Sequence, residues 1–250
     1  MKLFCVADVH GYYNELMTAL NENGFDVNND EHVFLSCGDL LDRGSQPREC
    51  LKFVNNLPQN RKVLIKGNHE DLMQELIIRQ YPCSHDLHNR TFKTVCDMFD
   101  APTDVVLSEK EIYSLLLKMS NDADWNNYLN DCVNFYEIQD YIFVHGWIPY
   151  WNLTSTHIVP DNWWCGNWKE ARWYNGFDCW KNNVRIPNKT IVCGHWHTSY
   201  ANSKFHNDGP EFDNENEKAN FGIFRDDGII GLDACTAYSG KVNCLVLDFN

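Results

Sequence analysis

VADVHG, residues 6–11, ends the first apolar run of this 250-residue chain on a carboxylate and an imidazole. The run itself, Leu3–Ala7, is of strand length and almost continuously apolar, which predicts a strand buried on both faces. Asp8 and His10 flank a single residue, so at an extended strand end both side chains project to the same side. The same construction, an apolar run closed by polar chemistry and a glycine, recurs as CGDLLDRG (37–44), KGNHE (66–70), FVHG (143–146) and CGHWH (193–197).

Outward from these signatures, strand-length apolar runs fall at Leu3–Ala7, His32–Cys37, Lys62–Ile65, Tyr141–Val144, Thr190–Cys193, Ile229–Leu232 and Val242–Asp248. Helical patterns intervene at Asn14–Asn23, Arg48–Asn55 and His69–Arg79, and the alternation predicts an α/β fold. Ligands collect outside the carboxyl ends of strands in such sheets, which is where all five signatures sit. A single domain over residues 1–250 is expected. Residues 81–134 read as a helical insertion, with Glu111–Met119 and Asn126–Val133 as its best helices. The Trp-rich stretch 147–180 has no clean period and reads as a loop cap over the site. Lys204–Asn220 is polar and reads as an exposed loop.

The formal net charge of −14 argues against broad binding to nucleic acid or anionic membranes. The opening MKLFCVAD is too short for a signal-peptide core, and no later stretch reaches the length of a membrane span. The eleven cysteines form no C-x-x-C pair, and several lie inside apolar runs. Reduced, buried thiols in a cytoplasmic protein are expected, with no disulfide framework.

The chemistry follows from residue type. A carboxylate and an imidazole, Asp8 and His10, suit a first-row divalent metal such as Mn, Fe or Zn. Asp39 ends a second buried strand, where an unpaired carboxylate is costly and a carboxylate bridging two cations is not. Asn68 follows a third strand and offers a neutral oxygen, while the adjacent His69 is free to face a substrate. His145, His195 and His197 close the fourth and fifth. A satisfied core imidazole is the ordinary reading of any one of these, but several strands ending in metal-ligand chemistry predict one shared site. Cys165, Cys179 and Cys193 with His195 or His197 fit no standard zinc spacing. His85 and His88 in CSHDLH are expected to be exposed. The seven tryptophans between Trp147 and Trp180 read as packing, or as a rim able to stack a nucleobase or a peptide aromatic.

The order D-x-H-G, GD-x-x-DRG, GNHE, HG and GH resembles the phosphoprotein phosphatase branch of the calcineurin-like metallophosphoesterases, near the small bacterial and phage Ser/Thr phosphatases. The closing LDACTAYSGKVNCLVLDF (232–249) resembles that family's last strands. The resemblance implies a β-sandwich flanked by helices and two divalent ions, manganese first among them. It places Asp8, His10 and Asp39 on one ion and Asp39, Asn68, His145 and His195 on the other. It makes His69 the general acid, oriented by Asp42, and Arg43 a phosphate clamp, with Arg172 as a second clamp. Metal-bound hydroxide would then attack phosphorus in line. GHWH departs from the branch's GHT or GHQ, so His197 is expected to be an added metal ligand, a residue supporting the ligands from behind, or a substrate-facing residue.

The expected substrate is a phosphorylated protein or a small phosphoester, with Ser/Thr phosphatase activity first. A symmetrical diadenosine tetraphosphate hydrolase or a phosphodiesterase of the same superfamily is the alternative. DLLDRG and NHE, in place of DLVARG and NHD, favour the phosphatase. An inactive binding scaffold is the remote alternative, and it sits poorly with a complete set of ligand letters.

Overall fold

The apolar strands assemble into two five-stranded sheets laid face to face, and both faces of each are covered. The computed structural model describes residues 1–103, 105–153 and 156–249; residues 104 and 154–155 of the expected insertion and cap lie outside the described residues. The first sheet runs β12 (Leu245–Asp248), β1 (Lys2–Val6), β2 (His32–Ser36), β3 (Lys62–Ile65), β4 (Cys132–Val133). β1, β2, β3 and β4 are parallel, and β12 is antiparallel to β1. The second sheet runs β10 (Phe224–Asp226), β11 (Ile229–Gly231), β9 (Thr190–Cys193), β6 (Tyr141–Phe143), β5 (Tyr136–Ile138). Its three central strands are parallel and its edges antiparallel. This is the α/β sandwich the sequence predicted.

Strand alternation divides the core. Leu3, Cys5, Ala7, Leu35 and Ile65 point between the sheets and meet Phe143, Val192, Ile230 and Leu232. Phe4, Val6, Phe34 and Leu64 point the other way, onto helices α1 (Tyr13–Glu22), α2 (Pro47–Asn56) and α3 (Asn68–Arg79), and onto helices of the 81–134 segment. That double burial is why the strands read as continuous apolar runs.

The 81–134 segment holds α4 (Ser84–His88), α5 (Thr91–Met98), α6 (Glu109–Ser120) and α7 (Ala123–Asp131). The helix expected over Asn126–Val133 stops early, because Cys132 and Val133 pair with Leu64 and Ile65 as β4. The Trp-rich stretch differs more from its reading. It contains the hairpin β7 (Trp151–Leu153) and β8 (Thr156–Ile158), then α8 (Trp168–Ala171) and α9 (Gly176–Lys181). Trp147, Trp163, Trp168 and Trp180 are buried in the core on the outer face of the second sheet. Packing between large rings, not backbone periodicity, organises it. Lys204–His206 extend α10 (Thr198–His206) instead of opening a loop. A short helix, α11 (Thr236–Ser239), follows β11. All eleven cysteines are free. Among the described residues, no helix is long and apolar enough to cross a membrane.

Candidate metal centre

The loops leaving β1 and β2 continue the pairing of their strands and so hold each other in register. Asp8, His10 and Gly11 donate backbone N–H groups to the carbonyls of Gly38, Asp39 and Leu40 at 3.2, 2.9 and 2.8 Å. The chain there turns sharply. Asp8, His10, Asp39, Asp42, Arg43 and, after β9, His195 all have positive φ, between 52° and 72°. Asp tolerates this region better than most residues, but Arg43 gains no such relief; strain of this kind concentrates at functional sites. Close approach needs two glycines. A Cβ on Gly67 would lie 2.1 Å from Asp39 Oδ1, and one on Gly194 would lie 2.2 Å from Asp8 Oδ2.

These turns bring Asp8, His10, Asp39, Asn68, His69 and His145, all buried, and the partly buried His195 into one cluster. Asp39 is its centre. Its carboxylate belongs to two donor groups, His10–Asp39–His69 and Asp39–His145–His195, in each of which the ligand atoms lie within 4.8 Å of one another. His10 Nε2 stands 3.9 Å from Asp8 and 3.8 Å from Asp39. Backbone carbonyls set the tautomers. His10 Nδ1 donates to Leu41 O at 3.0 Å and His145 Nδ1 to Cys37 O at 2.7 Å, which leaves both Nε2 lone pairs facing inward.

The donors fit divalent ions. His145 Nε2 faces Asn68 Oδ1 at 2.7 Å and Asp39 Oδ1 at 3.4 Å, a convergence of lone pairs that repel unless a cation lies among them. Burial, then Asp233, then Asp39 push the Asp8 carboxyl well up, and burial raises Asp233 to about 6. Crowded carboxylates of this kind are relieved by positive charge.

The four imidazoles divide. Burial pulls His10 and His145 below the ordinary imidazole range and His195 to about 3, so all three stand as free bases, the form a metal requires. Burial acts on His69 in the same sense, but Asp39 and then the hydrogen bond to Asp42 outweigh it and raise the ring. His69 Nδ1 lies 2.7 Å from Asp42 Oδ2, which also accepts from Thr91 Oγ1 at 2.8 Å. Arg43 Nη2 lies 3.4 Å from His69 Nε2. Burial alone would raise Asp39, yet the surrounding rings hold it well below the usual carboxylate range.

Two residues stand elsewhere than expected. His197 is not in the cluster. It is the N-cap of α10, with Nδ1 accepting from Tyr200 N at 3.3 Å and lying 2.9 Å from Ser199 Oγ, and Nε2 lies 3.3 Å from Glu211. Both ring nitrogens face protein groups, and the ring shares no donor group with Asp39. Arg172 is buried, and its guanidinium is held by protein groups. Its guanidinium donates to Asp71 at 2.7 Å, to Asn134 at 2.5 Å and to Lys66 O at 3.1 Å. It ties α8 to α3 and to the start of the second sheet. Cys165, Cys179 and Cys193 join no metal-capable group with His195 or His197 among the described residues.

Two site residues escaped the sequence reading. Glu70 accepts the backbone N–H groups of Gly67, Asp39 and Leu40 at 2.7, 3.1 and 3.1 Å and so pins the β2 loop to the start of α3. Its signal was the acidic residue three positions after Gly67, the capping-box spacing. Asp233 lies just past β11, the same strand-end placement that revealed Asp8 and Asp39.

A two-sheet sandwich whose strand ends gather carboxylates, an amide and free-base imidazoles around one shared aspartate is the architecture of a metal-dependent hydrolase. The sequence profile of the calcineurin-like phosphoesterases matches residues 1–199. The chain belongs to that family and is a metallophosphoesterase. Its curated relatives include symmetrical bis(5'-nucleosyl)-tetraphosphatases. That of Buchnera aphidicola subsp. Baizongia pistaciae is 41% identical over 70 residues, 28% of this chain and 24% of the relative. That of Proteus mirabilis is 43% identical over the same shares. The match thus spans about a quarter of the length of these relatives. Among solved structures, a cold-active protein-tyrosine phosphatase of a psychrophilic Shewanella superposes with a TM-score of 0.55 at 17% identity, covering 100% of this chain and 76% of that one. A structure provisionally described as a diadenosine tetraphosphatase does so with 0.55 at 15% identity, covering 98% and 89%. At these identities the superpositions concern the fold alone.

Proposed function

We propose that this metallophosphoesterase is a phosphomonoesterase acting on phosphoserine and phosphothreonine in proteins, with His69 as its proton donor. The observation that carries this reading is the 2.7 Å hydrogen bond between His69 Nδ1 and the Asp42 carboxylate, which raises the ring against the opposing charge of Arg43, 3.4 Å from Nε2. Asp8, His10 and Asp39 would hold one divalent ion, and Asp39, Asn68, His145 and His195 the other, with manganese the first candidate. Ions bound there supply Lewis-acid charge to a phosphoryl oxygen and to the attacking water.

The remaining work falls to side chains. Arg43 presents a planar fork to two phosphate oxygens beside the ring. Asp42 takes the Nδ1 hydrogen, so Nε2 faces the leaving oxygen with the proton to be transferred. Thr91 holds Asp42 in that orientation. This donor bears on the choice of substrate. An alkoxide leaving from a serine or threonine ester is a strong base and needs a proton. A nucleotide leaving from a phosphoanhydride is already stable as an anion, since the second pKa of a phosphate is about 6.

A second reading, hydrolysis of a dinucleoside polyphosphate, is supported by the named activity of the curated relatives. It is also supported by Trp173 and Trp196, half-exposed rings 5.9 and 6.1 Å from that of His195. The test is a manganese-supplemented comparison of His69→Asn with the native protein on a phosphothreonine peptide, p-nitrophenyl phosphate and diadenosine tetraphosphate. The native protein is expected to turn over the peptide faster than the dinucleotide. The variant should lose about 10²–10⁴-fold on the peptide and much less on p-nitrophenyl phosphate, whose leaving group needs no proton. Equal losses on both would remove His69 as the acid; faster native turnover of the dinucleotide would overturn the phosphatase reading.

A further inference from the structure

In GHWH (194–197), His195 joins the Asp39 cluster and His197 caps α10, and between them Trp196 keeps its ring in water. That ring is 37% exposed, and the ring of Trp173 is 47% exposed. Their centroids lie 6.1 and 5.9 Å from that of His195, at interplanar angles of 63° and 84°. Trp151 and Trp164 are exposed as well, but among the described residues neither ring meets a member of the cluster. Trp147, Trp163, Trp168 and Trp180 are buried packing. A large apolar ring left in water beside a functional centre calls for a cause that packing does not supply.

The position of the two indoles matters because of where the centre opens. His195 is the one member of the cluster that is only partly buried, and Arg43 beside the cluster is partly exposed too. A substrate therefore reaches the centre along the side that the indoles flank. Both rings are held in place before anything binds. Trp196 lies nearly parallel to His197, at 16° and 6.3 Å between centroids, and edge-on to Tyr200 at 6.0 Å. His197 is itself fixed by its cap and by Glu211. Trp173 closes the turn after α8, its N–H donating to Glu170 O at 2.9 Å, next to the anchored Arg172. Preset aromatic faces of this kind lose little conformational freedom when a partner covers them.

The occupant follows from the reach, on the reading that the centre dephosphorylates serine and threonine in proteins. An extended peptide advances about 3.3 Å per residue and points alternate side chains to opposite sides, so the residue two places from the phosphorylated one returns to the same face about 6.6 Å along. The indoles stand at a comparable distance from His195. We infer that Trp173 and Trp196 form a specificity subsite for an aromatic side chain two residues away from the phosphorylated residue. A ring placed there covers the exposed indole faces and gains the ring–ring attraction that aromatic pairs add to burial. A ring on the immediately adjacent residue points away from the protein and gains neither.

The test uses the full chain with manganese and four phosphothreonine peptides on one alanine-rich background: no ring, Phe two places before, Phe two places after, and Phe in the adjacent position. Phe two places away, on one side or the other, is expected to lower KM about tenfold against the ring-free peptide, while adjacent Phe changes it less than about twofold. Trp196→Ala and Trp173→Ala should each bring that KM ratio toward one without moving the corresponding kcat ratio, and Trp196→Phe should keep most of the preference. Equal KM for all four peptides in the native protein overturns the subsite, and this comparison needs no variant to fold. A preference for adjacent Phe, or one that survives both alanine variants, overturns it as well. Failure of the phosphatase reading has a different signature, with no peptide turned over while diadenosine tetraphosphate is, and the subsite then falls with that reading.

Discussion

The two sheets contribute unlike halves of the centre. The strand ends of the first sheet carry Asp8, His10, Asp39, Asp42, Arg43, Asn68 and His69, which include most of the charge and the one imidazole whose surroundings favour a proton. β6 and β9 of the second sheet deliver His145, buried, and His195, partly buried, both kept as free bases. Asp233, past β11, is the second sheet's exception, and burial has pushed its carboxyl up to about 6. The difference teaches a division of labour. On the proposed function, one sheet would supply charge and the proton, and the other would complete a coordination shell with neutral donors that add no repulsion.

The sharpest way to break this comparison is to remove one donor from each half. Asp39→Asn is expected to cost at least about 10³-fold in kcat/KM with manganese present, because the shared carboxylate belongs to both donor groups. His195→Gln should cost less, about 10–100-fold, as a neutral donor replaced by a weaker neutral one. Metal content measured beside the kinetics should fall further in Asp39→Asn. Equal losses in the two variants would end the distinction between the sheets.

Arg172→Met probes the seam between them. Asp71 keeps Lys66 but loses the buried guanidinium on its other oxygen, so thermal or urea unfolding should show a loss of about 1–3 kcal/mol. KM for a phosphate ester should change little, whereas a large rise in KM at unchanged stability would restore Arg172 as a phosphate clamp. Asp42→Asn sharpens the charged half. Asp42 raises the His69 ring, so its removal lowers that ring, and activity that depends on protonated His69 should decline from a lower pH on the alkaline side. A profile of kcat/KM against pH with an unmoved alkaline limb would detach Asp42 from the acid. The smallest effect belongs to Thr91→Val, which removes one hydrogen bond to the Asp42 carboxylate, for about 1 kcal/mol of stability. The same alkaline limb should shift slightly and in the same direction, and a shift opposite to that of Asp42→Asn would argue against Thr91 acting through Asp42.

Much of the sandwich was legible because doubly buried strands announce themselves as apolar runs. Leu3, Cys5 and Phe4, Val6 face opposite layers, and neither layer is solvent. The short pieces were not legible. β4 is two residues paired with β3 at the end of a helix, and α4 is a single turn and a half held by Asp86. Neither is long enough to show a period. The tryptophans between 147 and 180 misled for a related reason, since large rings can close a core without regular spacing.

The candidate site divides in the same way. The sequence by itself determined the donor inventory, since Asp8, His10, Asp39, Asn68, His145 and His195 each sit at the end of a strand whose neighbours in a parallel sheet end at the same edge. Parallel pairing then forces convergence, whatever the loops do. Tertiary structure alone decided which way the remaining side chains turn. His197 has the spacing of a ligand, but capping α10 and pairing with Glu211 occupy both its nitrogens. Arg172 has the charge of a clamp, but Asp71 and Asn134, 101 and 38 residues away in the chain, take its guanidinium. Glu70 binds three backbone N–H groups drawn from two loops. These outcomes depend on partners distant in the chain, and a side chain's direction follows the strongest partner that folding brings within reach.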